Sequence, residues 1–188
     1  MGLGDAQVLW RMVRGQPRSG SLAERLTAFY GPQAAHYDAF RERLLHGRAD
    51  LMARLAPEPG AHVIELGAGT GRNLGFLGDR LSGLGRVELV DLCPALLEQA
   101  RQRTQGLSNV RVVEADAVTY RSDRQADVVY FSYSLTMIPD WEGALRNALA
   151  LLKPGGQLGV VDFYVSDPEP ESGLVRHGAL TRWFWPRW

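Results

Sequence analysis

Short β-branched runs alternate with helical stripes of apolar residues through most of the chain after residue 57. Five runs predict strands, at residues 62–66, 86–90, 110–113, 127–133 and 158–163. Helical spacing is present at residues 72–81, from Pro94 onward and at residues 140–152, where a Pro-Gly-Gly turn is expected to end the helix. This alternation is typical of an α/β fold, a Rossmann-like, doubly wound and mostly parallel sheet.

Residues 1–56, ahead of the core at residues 57–163, predict a helical segment. Ser21 and Glu24 have the spacing of a capping box, which would begin one helix. Residues 34–45 and 49–55 are amphipathic and predict further helices. In this architecture we expect the segment to lie over the carboxyl ends of the strands, as a lid on a ligand.

A glycine-spaced turn follows the first predicted strand. Gly67, Gly69 and Gly71 would let the backbone approach a ligand closely, and the helix after them would offer its free N–H groups. Asp91, about twenty residues past Gly71, is placed to accept hydrogen bonds from both hydroxyls of a ribose. The G-x-G-x-G spacing, with Glu65 just before it, indicates a nucleotide-like ligand other than a dinucleotide.

This combination resembles motif I of the class I S-adenosylmethionine-dependent methyltransferases, which implies S-adenosylmethionine as the cofactor. In that family a helical segment before the sheet covers the donor. The resemblance implies that Glu65, Gly67, Gly69 and Gly71 contact the methionine part of the donor. It also implies that Asp91 binds the ribose, and that Leu92, Asp116 and Ala117 contact the adenine. Ser132 or Tyr133 would lie at the methyl group, and Tyr37 would cover the carboxylate of the donor.

Longer strings narrow the resemblance. The strings at residues 69–74, 90–94, 131–141, 161–166 and 184–188 are similar to those of the betaine-lipid N-methyltransferases. Members of that family convert diacylglyceryl-homoserine to diacylglyceryl-trimethylhomoserine. The resemblance therefore implies a transferase of lipid biosynthesis that methylates a primary amine three times in succession.

An amine that is protonated at neutral pH must lose a proton before each attack. Candidates to accept that proton, directly or through water, are Tyr133, Asp162 and Tyr164, at the ends of the fourth and fifth predicted strands. Aromatic faces near such a site would also attract the quaternising ammonium. Asp162 has an alternative interpretation, as a strand-end residue that accepts from backbone N–H groups.

The tail, residues 164–188, holds no apolar run long enough for another pair of strands. The methyltransferase sheet normally carries seven strands, and only five are predicted here. Either the fold is a five-stranded variant or the chain stops before its natural end. The ending of the chain within an aromatic segment, at residues 183–188, favours the second alternative.

Charge and cysteine content exclude several classes of function. The 21 basic residues equal the 21 acidic ones, so no overall field favours nucleic acid as a partner. The single cysteine, Cys93, excludes an internal disulfide and a cysteine-based metal cluster. The four histidines lack the spacing of metal ligands, and no metal site is expected.

The expected compartment is the cytoplasm, because the chain has no secretory signal and no run near the roughly 18 apolar residues of a membrane span. A lipid acceptor still requires contact with a membrane surface, here the inner face. The Trp- and Arg-rich segments at residues 183–188 and 8–14 are candidates for that contact. A core role or a contact with another subunit is the alternative, and the enzyme that makes diacylglyceryl-homoserine is a candidate partner.

Two further functions stay open. One is methylation of another small or amphipathic acceptor, such as a quinone ring or a phosphatidylethanolamine headgroup. The other is a non-catalytic subunit that binds the donor and supports a partner enzyme of lipid synthesis.

Overall fold

Five parallel strands form the centre of the structure, a computed structural model that describes residues 20–30, 45–164 and 178. The order across the sheet is β3-β2-β1-β4-β5. Each neighbouring pair runs parallel. The strands are β1 (His62–Leu66), β2 (Arg86–Asp91), β3 (Val110–Glu114), β4 (Ala126–Ser132) and β5 (Leu152–Val161).

Helices lie before and between the strands. The described α-helices are α1 (Leu22–Tyr30), α2 (Arg48–Leu55), α3 (Arg80–Gly83), α4 (Pro94–Arg103) and α5 (Trp141–Leu151), with 3₁₀ helices at Arg72–Phe76 and Leu135–Met137. The predicted capping box begins α1. The Ser21 backbone N–H donates to Glu24 Oε2 at 2.7 Å, and the Glu24 N–H donates to Ser21 Oγ at 3.3 Å.

Both faces of the sheet are covered, because the central strands are apolar in both directions. On β1, Val63 packs on the side of α2 and α4, whereas Ile64 packs on the side of α5. Every residue of β1 is buried. The predicted Rossmann-like, doubly wound fold is confirmed.

The predicted helix at residues 72–81 is wrong in one respect. The segment divides into the 3₁₀ helix Arg72–Phe76 and the short α3, with a turn between them. Gly78 lies in that turn with φ +55°, a left-handed conformation that an α-helix cannot contain. The glycine therefore interrupts the helix predicted at residues 72–81.

The fourth and fifth strands differ from the prediction at their ends. β4 runs from Ala126 to Ser132, which leaves Tyr133 outside it. β5 begins at Leu152, although its predicted start is residue 158. Its pairing with β4 shifts, because Ala126 faces Leu152 while Val128 faces Gln157. The turn predicted at residues 153–156 is thus absorbed into the strand as a bulge.

Several predictions concern residues outside the described part. Tyr37, most of the predicted helix at residues 34–45, and the aromatic end at residues 183–188 lie there. The division into lid, core and tail stays a prediction. Within the described ranges, no helix is both long and apolar enough to cross a membrane.

Candidate active site

A cleft opens at the carboxyl ends of β1, β2 and β4. The empty space in the cleft is about 680 Å³ when the part open to solvent is included. Strand order reverses at this point, since β1 lies between β2 and β4, and such a switch point is where open α/β sheets bind ligands. Six of the predicted cofactor residues line the cleft: Gly67, Gly69, Asp91, Leu92, Asp116 and Ala117.

The glycine loop forms one wall of the cleft. The backbone N–H groups of Gly67 and Ala68 donate to the Val90 carbonyl at 2.8 and 3.0 Å, which fixes the loop against β2. Gly67 has φ +75°, and a Cβ there would overlap the side chain of Ser134. The Ser134 hydroxyl in turn donates to the Leu66 carbonyl at 2.8 Å. Glycine therefore fits here for two reasons, its positive φ and the close approach of the Ser134 side chain.

Asp91 organises the loop from the end of β2. Its Oδ2 accepts from the Gly69 N–H at 2.8 Å, and its Oδ1 accepts from the Cys93 N–H at 2.8 Å. Asp91 also lines the cleft, so a bound ligand would lie next to it. The geometry is compatible with the predicted contact to ribose hydroxyls, which stays a prediction.

Asp116 follows β3 and closes a turn. Its Oδ1 accepts from the Val118 N–H at 2.8 Å, and its carbonyl oxygen accepts from the Tyr120 N–H at 2.8 Å. The turn holds Asp116 and Ala117 in the lining of the cleft, after the end of β3. Their predicted contact with adenine is not tested.

Tyr133, which lines the cleft, and Phe163, which does not, pack together as an aromatic wall. Their ring centroids are 4.9 Å apart with an interplanar angle of 64°. Tyr133 lines the cleft and has φ +53°, which is rare for a bulky side chain. Its hydroxyl donates to the His46 carbonyl at 2.7 Å, and its N–H donates to the Val161 carbonyl at 2.7 Å.

The other two proton-acceptor candidates are placed differently. Asp162 accepts from both the N–H and the hydroxyl of Thr136, at 3.1 and 2.7 Å, and from the Phe163 N–H at 2.8 Å. These contacts correspond to the alternative interpretation of Asp162, a strand-end residue that accepts from backbone groups. Tyr164 is 53% exposed. Neither residue lines the cleft, and their catalytic roles stay predictions.

Three predicted cofactor residues lie behind the wall of the cleft. Glu65 is fully buried, and its carboxylate accepts from Asn73 and Tyr130. Gly71 packs on the core, where a Cβ would lie 2.8 Å from Leu89 Cδ1. Ser132 is buried at the end of β4. A direct contact of these residues with a cofactor stays a prediction.

The charge of the cleft is one-sided. Asp91 and Asp116 line it, and no Lys, Arg or His side chain does so within the described ranges. Burial raises the pKa of the Cys93 thiol, so this lining residue stays neutral and is not an activated nucleophile. The site suits a ligand with a positive or neutral group and has no described group to bind several carboxylates.

A family model described as "Methyltransferase domain" matches residues 63–156, half of the chain. The chain belongs to this family. The match begins in β1 and ends in β5, so it contains the glycine loop, Asp91 and Asp116. The predicted membership of the S-adenosylmethionine-dependent methyltransferases is confirmed.

Curated relatives of this methyltransferase domain act on different acceptors. The trans-aconitate 2-methyltransferase of Enterobacter sp. (strain 638) is 35% identical over 131 residues, 70% of this chain and 50% of that protein. The ubiquinone/menaquinone biosynthesis C-methyltransferase UbiE of Ectopseudomonas mendocina is 33% identical over 150 residues, 75% of this chain and 59% of that protein. The chain thus spans about half to three fifths of the length of these relatives. The narrower resemblance to betaine-lipid N-methyltransferases is not shown by them.

Solved structures share the fold. A DhpI–SAH complex has a TM-score of 0.58 and 29% identity, over 80% of this chain and 72% of that one. A methyltransferase from Thiobacillus denitrificans in complex with S-adenosyl-L-homocysteine has a TM-score of 0.51 and 29% identity, over 60% of this chain and 46% of that one. At the level of the family, the predicted cofactor is confirmed.

The cleft has lining residues that the sequence did not single out. Leu26 and Tyr30 reach the cleft from α1, where Tyr30 packs with Cys93 and Leu96. The capping box located α1, but a nine-residue amphipathic pattern does not say which surface its apolar face will meet. Ser134 also lines the cleft, and no local pattern indicated its contact with β1.

Proposed function

We propose that this methyltransferase domain binds S-adenosylmethionine in the cleft and transfers its methyl group to an amine held against the Tyr133 side. When bound, this cofactor supplies a methyl group on a sulfonium sulfur, which the lone pair of an acceptor takes while the sulfur keeps the bonding electrons. The glycine loop would bring its backbone close to the donor, and Asp91 would accept from the ribose. The observation that carries the proposal is Asp91, which faces the cleft while it holds Gly69 and Cys93.

No separate nucleophile or metal is needed for this reaction. Alignment of two bound reactants contributes up to roughly 7–11 kcal/mol to lowering a barrier. Gly67, Gly69 and Asp91 are held by bonds to β2 and to the start of α4, so the donor side is preorganised. Tyr133 is fixed by three contacts on the acceptor side. The two sides together would act mainly by positioning.

For the acceptor we propose the amine of diacylglyceryl-homoserine, methylated three times to a betaine lipid. The acidic lining and the Tyr133 ring of the aromatic wall both favour an ammonium, because an aromatic face attracts a cation with roughly 0.5–2 kcal/mol. Two aromatic side chains after the end of β5, those of Phe163 and Tyr164, are more than half exposed. They offer contact surface for acyl chains. The resemblance of the strings at residues 131–141 and 161–166 points the same way.

A quinone-type acceptor is the second candidate. It is favoured by the 33% identity to a UbiE C-methyltransferase and by the same aromatic wall, which can stack on a planar ring. A tricarboxylate such as trans-aconitate fits less well, because the described lining holds two acids and no basic side chain. A homoserine headgroup carries only one carboxylate beside its ammonium.

Methyl-labelled S-adenosylmethionine and mass spectrometry distinguish these acceptors. The protein is incubated with a lipid extract that contains diacylglyceryl-homoserine and, separately, with a demethylated quinone precursor. A series of one, two and three labelled methyl groups on the lipid amine supports the proposal. One label on a quinone carbon supports the second candidate. Binding of S-adenosylhomocysteine without labelling of any acceptor would contradict both and favour a non-catalytic donor-binding subunit.

We also propose that the protein works in the cytoplasm at the inner face of a membrane, with the enzyme that makes its lipid acceptor as a partner. Vesicle flotation with and without residues 181–188 tests the membrane contact. Recovery of only the full chain with lipid vesicles supports it. Equal flotation of both forms would exclude the aromatic end as the anchor.

A further inference from the structure

A buried chain of hydrogen bonds lies under the glycine loop. Glu65 on β1 is fully buried, and its Oε1 accepts from Asn73 Nδ2 at 2.6 Å. Its Oε2 accepts from the Tyr130 hydroxyl on β4 at 2.7 Å. Burial and the neighbouring Glu65 carboxylate raise the pKa of Tyr130 well above its usual range, so Tyr130 remains a donor. Both carboxylate oxygens are therefore held.

The bond between Glu65 and Asn73 closes the base of the loop. Glu65 precedes the loop on β1, and Asn73 follows it in the 3₁₀ helix Arg72–Phe76. The residues between them include Gly67 and Gly69, which line the cleft. A short bond across the two ends of a loop restricts the paths that the backbone between them can take. The position of the loop wall thus depends on this pair.

Arg48 extends the chain to the segment before the sheet. It is 3% exposed at the start of α2, and its Nη1 donates to Asn73 Oδ1 at 3.4 Å. Its Nε donates to the Leu45 carbonyl at 3.2 Å, and its guanidinium lies 5.2 Å from the centroid of the Phe76 ring. One asparagine therefore stands between a buried cation and a buried anion.

Burial of a separated Arg and Glu is costly, and apolar residues of similar volume are often at least as stabilising at such sites. The arrangement gives the glycine loop a fixed base instead. The same segment also contacts the opposite wall, because the Tyr133 hydroxyl donates to the His46 carbonyl. Residues 45–48 thus reach both the donor loop and the acceptor side.

We infer that Asn73 and Arg48 are positioning residues, which hold Glu65 and the glycine loop in the donor-binding geometry and couple that loop to the segment before α2. This inference rests on the proposed donor binding in the cleft. It assigns a role to two side chains that touch neither donor nor acceptor.

Calorimetric binding of S-adenosylhomocysteine to Asn73→Asp tests the inference. The substitution keeps the shape but places a carboxylate oxygen against Glu65, with Arg48 and Tyr130 also facing the pair. We expect affinity at least about tenfold below that of the unmodified protein near pH 8, with partial recovery near pH 5.5, where a shared proton restores a donor. The matched control is Asn109→Asp. Like Asn73, Asn109 donates through its side-chain amide, but its acceptors are the backbone carbonyls of Leu81 and Leu84, and it does not line the cleft.

Arg48→Lys provides a second variant that keeps the charge but loses the planar fork. We expect KM for the donor to rise about three- to tenfold with kcat changed less than twofold, while Arg54→Lys on the exposed side of α2 changes neither. If the unmodified protein binds S-adenosylhomocysteine and both variants bind it equally well, the inference is overturned. If the unmodified protein does not bind it, the proposed function fails and the inference fails with it.

Discussion

The Tyr133 hydroxyl donates to the backbone carbonyl of His46 at 2.7 Å, across 87 positions of sequence. Tyr133 also bonds through its backbone to Val161 and through its ring to Phe163. Three contacts hold a residue whose φ of +53° is unfavourable for a tyrosine. Strained residues that their surroundings fix in this way are concentrated at functional sites. The contact joins the segment before α2 to the residue that follows β4 and lines the cleft.

Removal of the Tyr133 hydroxyl tests whether this group only holds the residue in position or accepts a proton. In Tyr133→Phe the ring wall remains, and we expect the free energy of unfolding to fall by about 1 kcal/mol through loss of the hydrogen bond. We expect kcat to fall less than about tenfold, with an unchanged pH profile, because the hydroxyl serves as a donor to His46. Chemical denaturation and a pH series of initial rates measure both quantities. A hundredfold loss of kcat with a shifted profile would instead identify Tyr133 as the proton acceptor.

Asp91→Ala should weaken the binding of S-adenosylhomocysteine by about 2 kcal/mol, since hydrogen bonds to a charged acceptor are lost. The affinity of Asp91→Asn should lie between those of Asp91→Ala and the unmodified protein, because one acceptor oxygen remains for Gly69 or Cys93. Titration calorimetry measures both. Asp79→Ala, on an exposed turn, should leave the affinity unchanged. Equal affinity of Asp91→Ala and the unmodified protein would show that Asp91 does not hold the donor.

Alanine substitutions at Gly67 and Gly78 allow the cost of a steric clash to be measured apart from the cost of backbone strain. Gly67 and Gly78 have φ of +75° and +55°, but only at Gly67 would a Cβ meet another side chain, that of Ser134. We expect Gly78→Ala to cost about 1–2 kcal/mol of unfolding free energy, and Gly67→Ala to cost about 1–3 kcal/mol more. Thermal and urea unfolding give the difference. Donor affinity should fall only in Gly67→Ala, and an equal cost at both sites would contradict the close approach.

A second buried network lies on the opposite face of the sheet, around Glu88 on β2, which pairs with Ile64 of β1. The Tyr120 hydroxyl donates to Glu88 Oε2 at 2.7 Å, and His62 Nε2 lies 3.3 Å from the same oxygen. Arg86 Nη2 lies 2.5 Å from Glu88 Oε1. Burial by itself would raise the pKa of Glu88, but the nearby His62 and the hydrogen bond from Tyr120 outweigh it and lower the pKa from 4.5 to about 2.

This lowered pKa predicts an acid-sensitive fold. Glu88 binds a proton more readily in the unfolded chain than in the native one, so its contribution is complete above pH 4.5 and is lost as the pH falls toward 2. The loss should amount to about 3 kcal/mol of unfolding free energy. Urea unfolding across this range should show a shallower pH dependence in Glu88→Gln than in the unmodified protein. Glu98→Gln, at an exposed position of α4, should keep the original dependence, and parallel curves for all three proteins would rule out Glu88 as the source.

Local patterns in the sequence determined the elements and one wall of the site. The β-branched runs predicted β1 and β2 to within a residue, and Ser21 with Glu24 predicted the start of α1. These features depend on neighbours a few positions apart, which a chain displays before it folds. The glycine spacing and Asp91 likewise predicted one wall of the cleft, because a strand, a turn and a helix in succession leave little freedom for the loop between them.

Only the tertiary structure decided which distant side chains meet. Glu65 was expected to contact the donor, yet its bonds run to Asn73 and Tyr130, behind the wall of the cleft. Asp162 accepts from Thr136. Tyr133 reaches His46. A buried or strand-end polar group takes whichever partner the packing brings within hydrogen-bond distance, and packing joins residues that no sequence period relates.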